Sequence, residues 1–329
     1  MKSSRALLYT LIALAVLTTL LIMLLANTGH EPQQLVGKAP HDNNPPQQAR
    51  FITGAKGISD GWAQFSPDGS LVVFSRSTEF GAPSDLYTIP VAGGDARRLS
   101  RSHLPLSATR ATWSPQGDLL AFIGTDKGRN SLWVINSDGT RPRKLELGGL
   151  SDSISYPDWY PDGKQLVVVD TGEKVIKRID LALGTVTNIT DNELVFAGKP
   201  SISPDGNWIA FAGQKNVGQT YSKSENGVWV IRSDGSPQSL QQVVERGRHP
   251  NWSPDGQRLT FDAVSNKQIA TFIVNRDGTN LEQITDYELR AGEPVWSPDG
   301  TRILVLAKQR SDTGPYGLAI IELQENDLQ

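Results

Sequence analysis

A turn motif of four residues recurs six times along this chain, and it constrains the fold more than any other feature. Pro stands at the second position and Gly at the fourth in every copy, and Asp stands at the third position in five copies. The copies lie at residues 66–69, 114–117, 160–163, 203–206, 253–256 and 297–300. Successive copies are 43 to 50 residues apart, the spacing of a repeat protein in which each unit is one supersecondary structure.

The residues around each motif predict four short strands per unit. An apolar run with β-branched or aromatic residues follows the motif, as at residues 71–74 and 208–211. A further run, as at residues 132–135, leads to a second turn that contains Asp-Gly, where Gly supplies the positive φ of a tight hairpin. Six four-stranded antiparallel units predict an all-β fold, a six-bladed β-propeller.

The two ends of the repeat region predict how the ring closes. The sixth unit has no fourth strand before the chain ends, whereas residues 49–53 resemble the fourth strands of the other units. Ile52 precedes the first marker proline by 15 residues, and Ile284 precedes the last by 14. We therefore expect residues 51–53 to complete the sixth sheet and the propeller to span residues 49–329, with no exposed sheet edge at the junction.

Residues 6–26 carry no charge and are dominated by Leu, Ile, Ala and Val. A helix of this length spans about 31 Å, close to the hydrocarbon thickness of a bilayer. Lys2 and Arg5 precede it, so the positive-inside rule places everything after Ala26 outside the cytoplasm. We predict a signal-anchor transmembrane helix within residues 1–26 in the inner membrane; a signal peptide cleaved after Ala26, which would release the propeller into the periplasm, is the alternative.

Residues 27–48 are rich in Pro, Gln and Asn without periodicity, which predicts a flexible tether between the membrane and the propeller.

Composition excludes several classes of function. The chain has no Cys, so disulfides, thiolate metal sites and a cysteine nucleophile are excluded. It has four His, which makes an imidazole-rich metal site hard to build. Its 32 basic and 35 acidic side chains argue against a general nucleic-acid binder. We expect no metal and no cofactor.

The motif and its aromatic flanks resemble the WD-like repeats of the TolB family, most plainly at residues 113–115, 252–256 and 296–300, where Trp precedes Ser-Pro. The resemblance covers about 280 residues. It implies an envelope protein of a Gram-negative bacterium that binds other proteins through a propeller face. The family's α/β domain ahead of the propeller has no expected counterpart in the tether, so signalling between those domains is not carried over.

The candidate catalytic residues favour a protein that is not an enzyme. Residues 57–61 match the Gly-x-Ser-x-Gly pattern of a nucleophile, but no helical pattern follows, so we interpret them as a Gly-rich loop. TolB-like propellers also include sugar lyases, which resemble metal enzymes with several His ligands at the channel mouth. Only His103 and His249 lie in the propeller region here, and we interpret both as exposed loop residues.

One cluster of charges is a candidate binding site. Loops of three consecutive units are predicted to present Lys56, Arg246, Arg248, His249 and Arg290 around one side of the channel mouth, with Glu288 and Glu293 interleaved. These cations predict a docking site for an acidic peptide, a carboxylate or a sugar acid. A solvated rim of mixed charge is the alternative.

An inserted loop at residues 214–227 is expected to overhang this face, where Tyr221 could supply an aromatic anchor.

These features predict a membrane-anchored periplasmic β-propeller that acts as a protein–protein interaction scaffold of the bacterial cell envelope. Its expected partner is an envelope protein, an acidic peptide or a carboxylate ligand, and not a nucleic acid. Two alternatives stay open: a carbohydrate-binding or carbohydrate-cleaving propeller with its site at the channel mouth, and an extracytoplasmic sensor domain.

Overall fold

The computed structural model of the protein describes residues 49–55, 57–78, 82–99, 107–191, 194–215, 226–265, 268–308 and 316–324. The predicted membrane segment and tether lie outside these ranges, and so do Lys56, His103 and Tyr221. Within the described ranges, no helix is long and apolar enough to span a bilayer.

Six antiparallel sheets of four strands each make up the fold, and their strand orders follow the chain. The strands of blades 1 to 3 are β2 (Ser59–Phe65), β3 (Leu71–Ser77), β4 (Asp85–Pro90), β5 (Arg97–Arg98), β6 (Ser107–Trp113), β7 (Leu119–Asp126), β8 (Arg129–Asn136), β9 (Arg143–Lys144), β10 (Ile154–Trp159), β11 (Gln165–Asp170), β12 (Val175–Asp180) and β13 (Thr185–Asn188).

Blades 4 to 6 repeat the arrangement, and the last strand of blade 6 is the first strand of the described residues. The strands are β14 (Leu194–Ile202), β15 (Trp208–Lys215), β16 (Gly227–Arg232), β17 (Gln241–Val244), β18 (Arg248–Trp252), β19 (Arg258–Ser265), β20 (Gln268–Asn275), β21 (Glu282–Gln283), β22 (Gly292–Trp296), β23 (Arg302–Lys308), β24 (Tyr316–Glu322) and β1 (Ala49–Phe51). The prediction of an all-β, six-bladed β-propeller is confirmed.

The turn motif folds as its residue types require. The Ser66 hydroxyl donates to the Asp68 carboxylate at 2.5 Å, and the Gly69 N–H donates to the Ser66 carbonyl at 2.8 Å. Gly69 has a φ of 70°, which favours glycine. In the second copy, where Gln replaces Asp, the Ser114 hydroxyl donates instead to Asp118 at 2.7 Å. The turn therefore keeps its hydrogen bond with a carboxylate two residues further along.

The apolar core lies between neighbouring blades. Val73 of blade 1 packs with Leu120 and Phe122 of blade 2, and all three side chains are inaccessible to solvent. Trp252 of blade 5 donates its indole N–H to the Ser201 carbonyl of blade 4 at 3.0 Å. Each blade buries its apolar face against the next. Closing the ring therefore also buries the apolar surface between the last blade and the first, which stabilises the fold.

Ring closure comes from pairing of β1 with β24. The strand covers Ala49–Phe51, whereas residues 51–53 were expected to complete the sheet. The regular ladder ends after Phe51 because the N–H groups of Ile52 and Thr53 share the Leu318 carbonyl, at 2.8 and 3.3 Å. The edge of blade 6 is thus covered by the amino-terminal strand.

Candidate functional site

The first strands of the six blades contact one another in a closed cycle around a central channel. Each contains a β-bulge, at which pairing with the second strand shifts register. One residue in every bulge has a left-handed backbone, with φ between 40° and 55°. These ring residues are Trp62, Arg110, Tyr156, Lys199, His249 and Glu293. Each lies five residues before the proline of its turn motif.

The ring residues combine a repeated backbone with side chains that do not repeat. None is glycine, although a left-handed backbone costs a residue with a side chain roughly 1–3 kcal/mol. Proline follows four of them, at positions where it leaves no N–H unpaired in the interrupted ladder, namely Pro157, Pro200, Pro250 and Pro294. The six side chains are an indole, a guanidinium, a phenol, an ammonium, an imidazole and a carboxylate.

Five ring residues line a cavity that is partly open to solvent within the channel: Trp62, Arg110, Tyr156, Lys199 and Glu293. The rest of the wall includes apolar and polar groups from the same strands. It is formed by Ala63, Gln64, Ala111, Pro157, Asp158, Pro200, Ser201 and Asn251. The cavity therefore has the mixed character of a ligand pocket, with aromatic surface beside a few charged groups.

Arg110 packs against two aromatic rings that also contact each other. Its guanidinium carbon lies 4.4 Å from the Trp62 ring centroid and 4.7 Å from that of Tyr156, within the range of cation–π attraction. The two rings meet edge to face, with centroids 5.2 Å apart. The Nε of Arg110 is buried and has no hydrogen-bond partner, and Nη1 donates to the Thr109 hydroxyl at 3.3 Å.

Two groups in the cavity wall are electrostatically perturbed. Burial lowers the pKa of Lys199, and Glu293, Asp262 and Asp158 oppose this through their negative charges. Burial raises the pKa of Asp158 to about 6, although this carboxylate accepts the Ile202 N–H at 2.9 Å and the Thr112 hydroxyl at 3.2 Å. Both shifts result from partial removal of the charged groups from water.

Asp262, on the second strand of blade 5, organises the neighbouring side of the ring. It is fully buried and accepts hydrogen bonds from Arg248 at 2.7 Å and from His249 Nδ1 at 2.5 Å. It also accepts the backbone N–H of Glu293 at 3.1 Å. Burial opposes ionisation, but His249 and Arg248 hold the pKa of Asp262 below its usual range.

The predicted binding residues do not all lie where the sequence places them. Arg248 and His249 lie on β18 rather than on a loop, and both pair with the Asp262 carboxylate. The interpretation of His249 as an exposed loop residue is therefore wrong: its side chain is 18% exposed. Glu293 lies on β22 and accepts the Trp62 N–H at 2.9 Å, which links blades 6 and 1.

The other predicted residues lie away from the cavity wall or outside the described ranges. Arg246 is exposed on the turn before β18, and Arg290 is half-buried on the turn before β22. Lys56 and Tyr221 fall outside the described residues, so their part in a site stays a prediction.

The Gly-x-Ser-x-Gly match at residues 57–61 overlaps the start of β2. Ser59 is exposed at the start of that strand, and a turn and β3 follow it, not the helix that a nucleophile elbow requires. Among the described residues, no three His, Asp or Glu side chains are placed to hold a metal ion.

Sequence reasoning missed Trp62, Arg110, Tyr156 and Lys199. Their residue types share nothing, so no compositional pattern marks them. The signal that would have found them is positional, the constant offset of five residues before each marker proline. It becomes informative only once the bulge is known, because the bulge decides which side chain of the first strand faces the channel.

A family model of the TolB beta propeller domain matches residues 46–235, more than half of the chain. The chain belongs to the TolB beta-propeller family.

Relatives of the family fit this assignment. The Tol-Pal system protein TolB of Francisella tularensis subsp. mediasiatica is 25% identical over 211 residues, which cover 62% of this chain and 46% of that protein. The chain thus matches about half the length of the TolB relatives.

Solved structures share the TolB propeller fold. A putative TolB from Agrobacterium tumefaciens has a TM-score of 0.60 at 20% identity, covering 81% of this chain and 91% of that one. An oligogalacturonate lyase in complex with manganese has a TM-score of 0.52 at 16% identity, covering 87% and 98%. At these identities the likeness establishes the fold alone.

Proposed function

We propose that this TolB-like propeller is a membrane-anchored, periplasmic scaffold that binds a protein of the bacterial cell envelope at the channel end that carries the ring residues. The observation that carries the proposal is the contrast within the ring. Six equivalent backbones are kept in a costly conformation, yet they display six different side chains. A packing role would be served by similar residues, whereas recognition of one partner requires different groups at defined positions.

Family membership supports a protein partner. The relatives from Francisella tularensis are named as Tol-Pal system proteins. Among the described residues, the exposed Arg246 and the half-buried Arg290 lie on turns that lead into β18 and β22, beside the ring residues His249 and Glu293. Such cations raise association rates with an acidic surface, and Lys56 and Tyr221 would extend the same face.

Capture of the partner tests the proposal. Envelopes are chemically crosslinked, and the propeller is purified from cells that carry the wild type, a Tyr156→Ser variant or a Lys144→Glu variant. Tyr156 is a ring residue, whereas Lys144 is exposed on the outer strand β9 of blade 2. We expect one specific protein with the wild type and with Lys144→Glu, and at least tenfold less of it with Tyr156→Ser. Equal capture by all three would reject the ring as the binding site.

Anchoring is tested separately from binding. Residues 6–26 have the length and apolarity of a span, and Lys2 and Arg5 favour an outward-facing propeller. We expect the intact chain to stay in the membrane pellet after alkaline extraction and a phosphatase fused after residue 329 to be active. Release into the soluble fraction would favour cleavage after Ala26.

A carbohydrate ligand is the second candidate. Trp62 and Tyr156 present aromatic surface inside the cavity beside Asn251 and Asp158, a combination suited to sugar rings and hydroxyls. The structural likeness to an oligogalacturonate lyase adds only the shared fold. Saturable binding or turnover of an acidic oligosaccharide, lost in Trp62→Ala, would favour this function over the scaffold.

A further inference from the structure

We propose, resting on the scaffold function, that the channel cavity binds a carboxylate group of the partner through Lys199 and Arg110. The carboxylate would belong to an Asp or Glu side chain or to a chain terminus, since both present the same two oxygens. This site differs from the predicted rim site, which includes Arg248 and His249. Those two side chains already pair with Asp262.

Some polar groups of the cavity wall have hydrogen-bond partners within the described part of the protein, and others do not. Asp158 accepts from Ile202 and Thr112, and Asn251 donates to Ser201 at 3.3 Å while accepting the Trp296 N–H at 2.9 Å. The Asp158 and Asn251 side chains of the wall therefore already have hydrogen-bond partners.

Arg110 and Lys199 supply the unmatched donors. The Arg110 Nε–H is buried without a partner. Lys199 interacts with carboxylates within the described part of the chain only through charge at longer range, without a hydrogen bond to any of them. A ligand that completes both groups must bring acceptor oxygens, and a carboxylate brings two with a negative charge.

The carboxylates near Lys199 already accept hydrogen bonds from other groups. Asp262 lies under Arg248 and His249, and Glu293 accepts the Trp62 N–H. Burial further disfavours the charged form of Asp158. Neither cation of the cavity forms an ion pair within the described part of the chain, although the negative charges of Glu293, Asp262 and Asp158 attract Lys199 at longer range.

Arg110 is pre-organised for this role. The Trp62 and Tyr156 rings hold its guanidinium, and its backbone N–H donates to the Ser75 hydroxyl at 3.1 Å. Little side-chain entropy would be lost when a ligand binds to a group held in this way. The same rings offer apolar surface to the methylene next to a carboxylate.

Sodium acetate is the first probe. Protein labelled with 5-fluorotryptophan is titrated and followed by ¹⁹F NMR, with the Trp62 resonance assigned by a Trp62→Phe variant. We expect a saturable shift with a Kd of about 1–10 mM in the wild type. Lys199→Met should raise this Kd at least tenfold, and Lys144→Met, which removes an exposed lysine of blade 2, should leave it unchanged. Sodium chloride at equal ionic strength is the solvent control.

A linear shift equal to that with chloride, or an unchanged Kd in Lys199→Met, would overturn the proposal. Where Lys199→Met does not fold, Lys199→Gln and Arg110→Lys provide the same comparison, since the second keeps a charge but removes the buried Nε donor.

Capped peptides then identify the source of the carboxylate. An amidated alanine pentapeptide with a central Glu tests the side chain, one with a free carboxyl end tests the terminus, and an amidated peptide without Glu is the blank. Binding of acetate but of neither carboxylate peptide would contradict a protein source. A saturable acetate shift in a protein that captures no envelope partner would support the carboxylate site and reject the scaffold.

Discussion

Replacing Asp158 with Asn should change the pH dependence of stability in a defined direction. Burial raises the pKa of Asp158 from 3.8 to about 6, so the folded protein holds this proton more tightly than the unfolded chain. The group therefore favours the folded state most at low pH, and that contribution is lost as the pH rises through about 6. The amide side chain of the variant would carry no charge, and its oxygen could still accept the Ile202 N–H.

The magnitude follows from the size of the shift. The rise from 3.8 to about 6 corresponds to at most roughly 3 kcal/mol, since one pKa unit equals about 1.4 kcal/mol. About half of this limit develops between pH 5 and pH 8, and solvent in the cavity reduces it. We expect Asp158→Asn to gain about 1 kcal/mol over the wild type on going from pH 5 to pH 8.

Urea unfolding at pH 5, 6, 7 and 8, followed by far-UV circular dichroism, measures the effect. Asp126→Asn, at an exposed position at the end of β7, is the control and should run parallel to the wild type. Curves for Asp158→Asn and the wild type that stay parallel across this range would refute the reasoning.

Three further substitutions test the ring and its supports. A Cβ at Gly317 would press on the Thr53 carbonyl, where β1 and β24 meet, so Gly317→Ala should lower the free energy of unfolding by about 1–3 kcal/mol. A Cβ at Gly148 would meet open space, so Gly148→Ala should change this free energy little in the same urea titration. Asp262→Asn removes the buried counter-ion of Arg248 and His249 and should lower the free energy of unfolding by about 3–5 kcal/mol, measured by thermal unfolding. A loss below about 1 kcal/mol would show that these two ion pairs are not desolvated. Trp252→Phe loses the indole bond to Ser201 and should cost about 1 kcal/mol more than Trp113→Phe, whose indole N–H is buried without a partner; equal costs in chemical denaturation would contradict a stabilising bond.

The fold could be read from the chain because its signal is local and repeated. Each Pro-x-Gly turn requires a fixed geometry, and the apolar runs beside it leave few arrangements other than a meander. The unpaired strand at residues 49–53 predicted closure, although the ladder ends at Phe51, since Ile52 and Thr53 turn toward a single carbonyl.

The site could not be read in the same way. The sequence pattern predicts His249 and Glu293 as rim charges, but the carboxylate that pairs with Arg248 and His249 is that of Asp262 on the next strand. Arg110 and Lys199 lie in stretches without a distinctive pattern, and a bulge turns them toward the channel. Local sequence patterns do not show contacts between strands of different blades. The sequence therefore indicates which charges lie near the channel, but not which of them have an ion-pair partner.

Site-specific photo-crosslinking in living cells tests most directly whether the ring binds a partner. A photoreactive phenylalanine analogue replaces Tyr156 in the ring or Leu183, which is 75% exposed on the β12–β13 turn of the same blade. We predict that one envelope protein is crosslinked from position 156 and that none is crosslinked from position 183. Crosslinking of the same protein from position 183 alone would contradict the account.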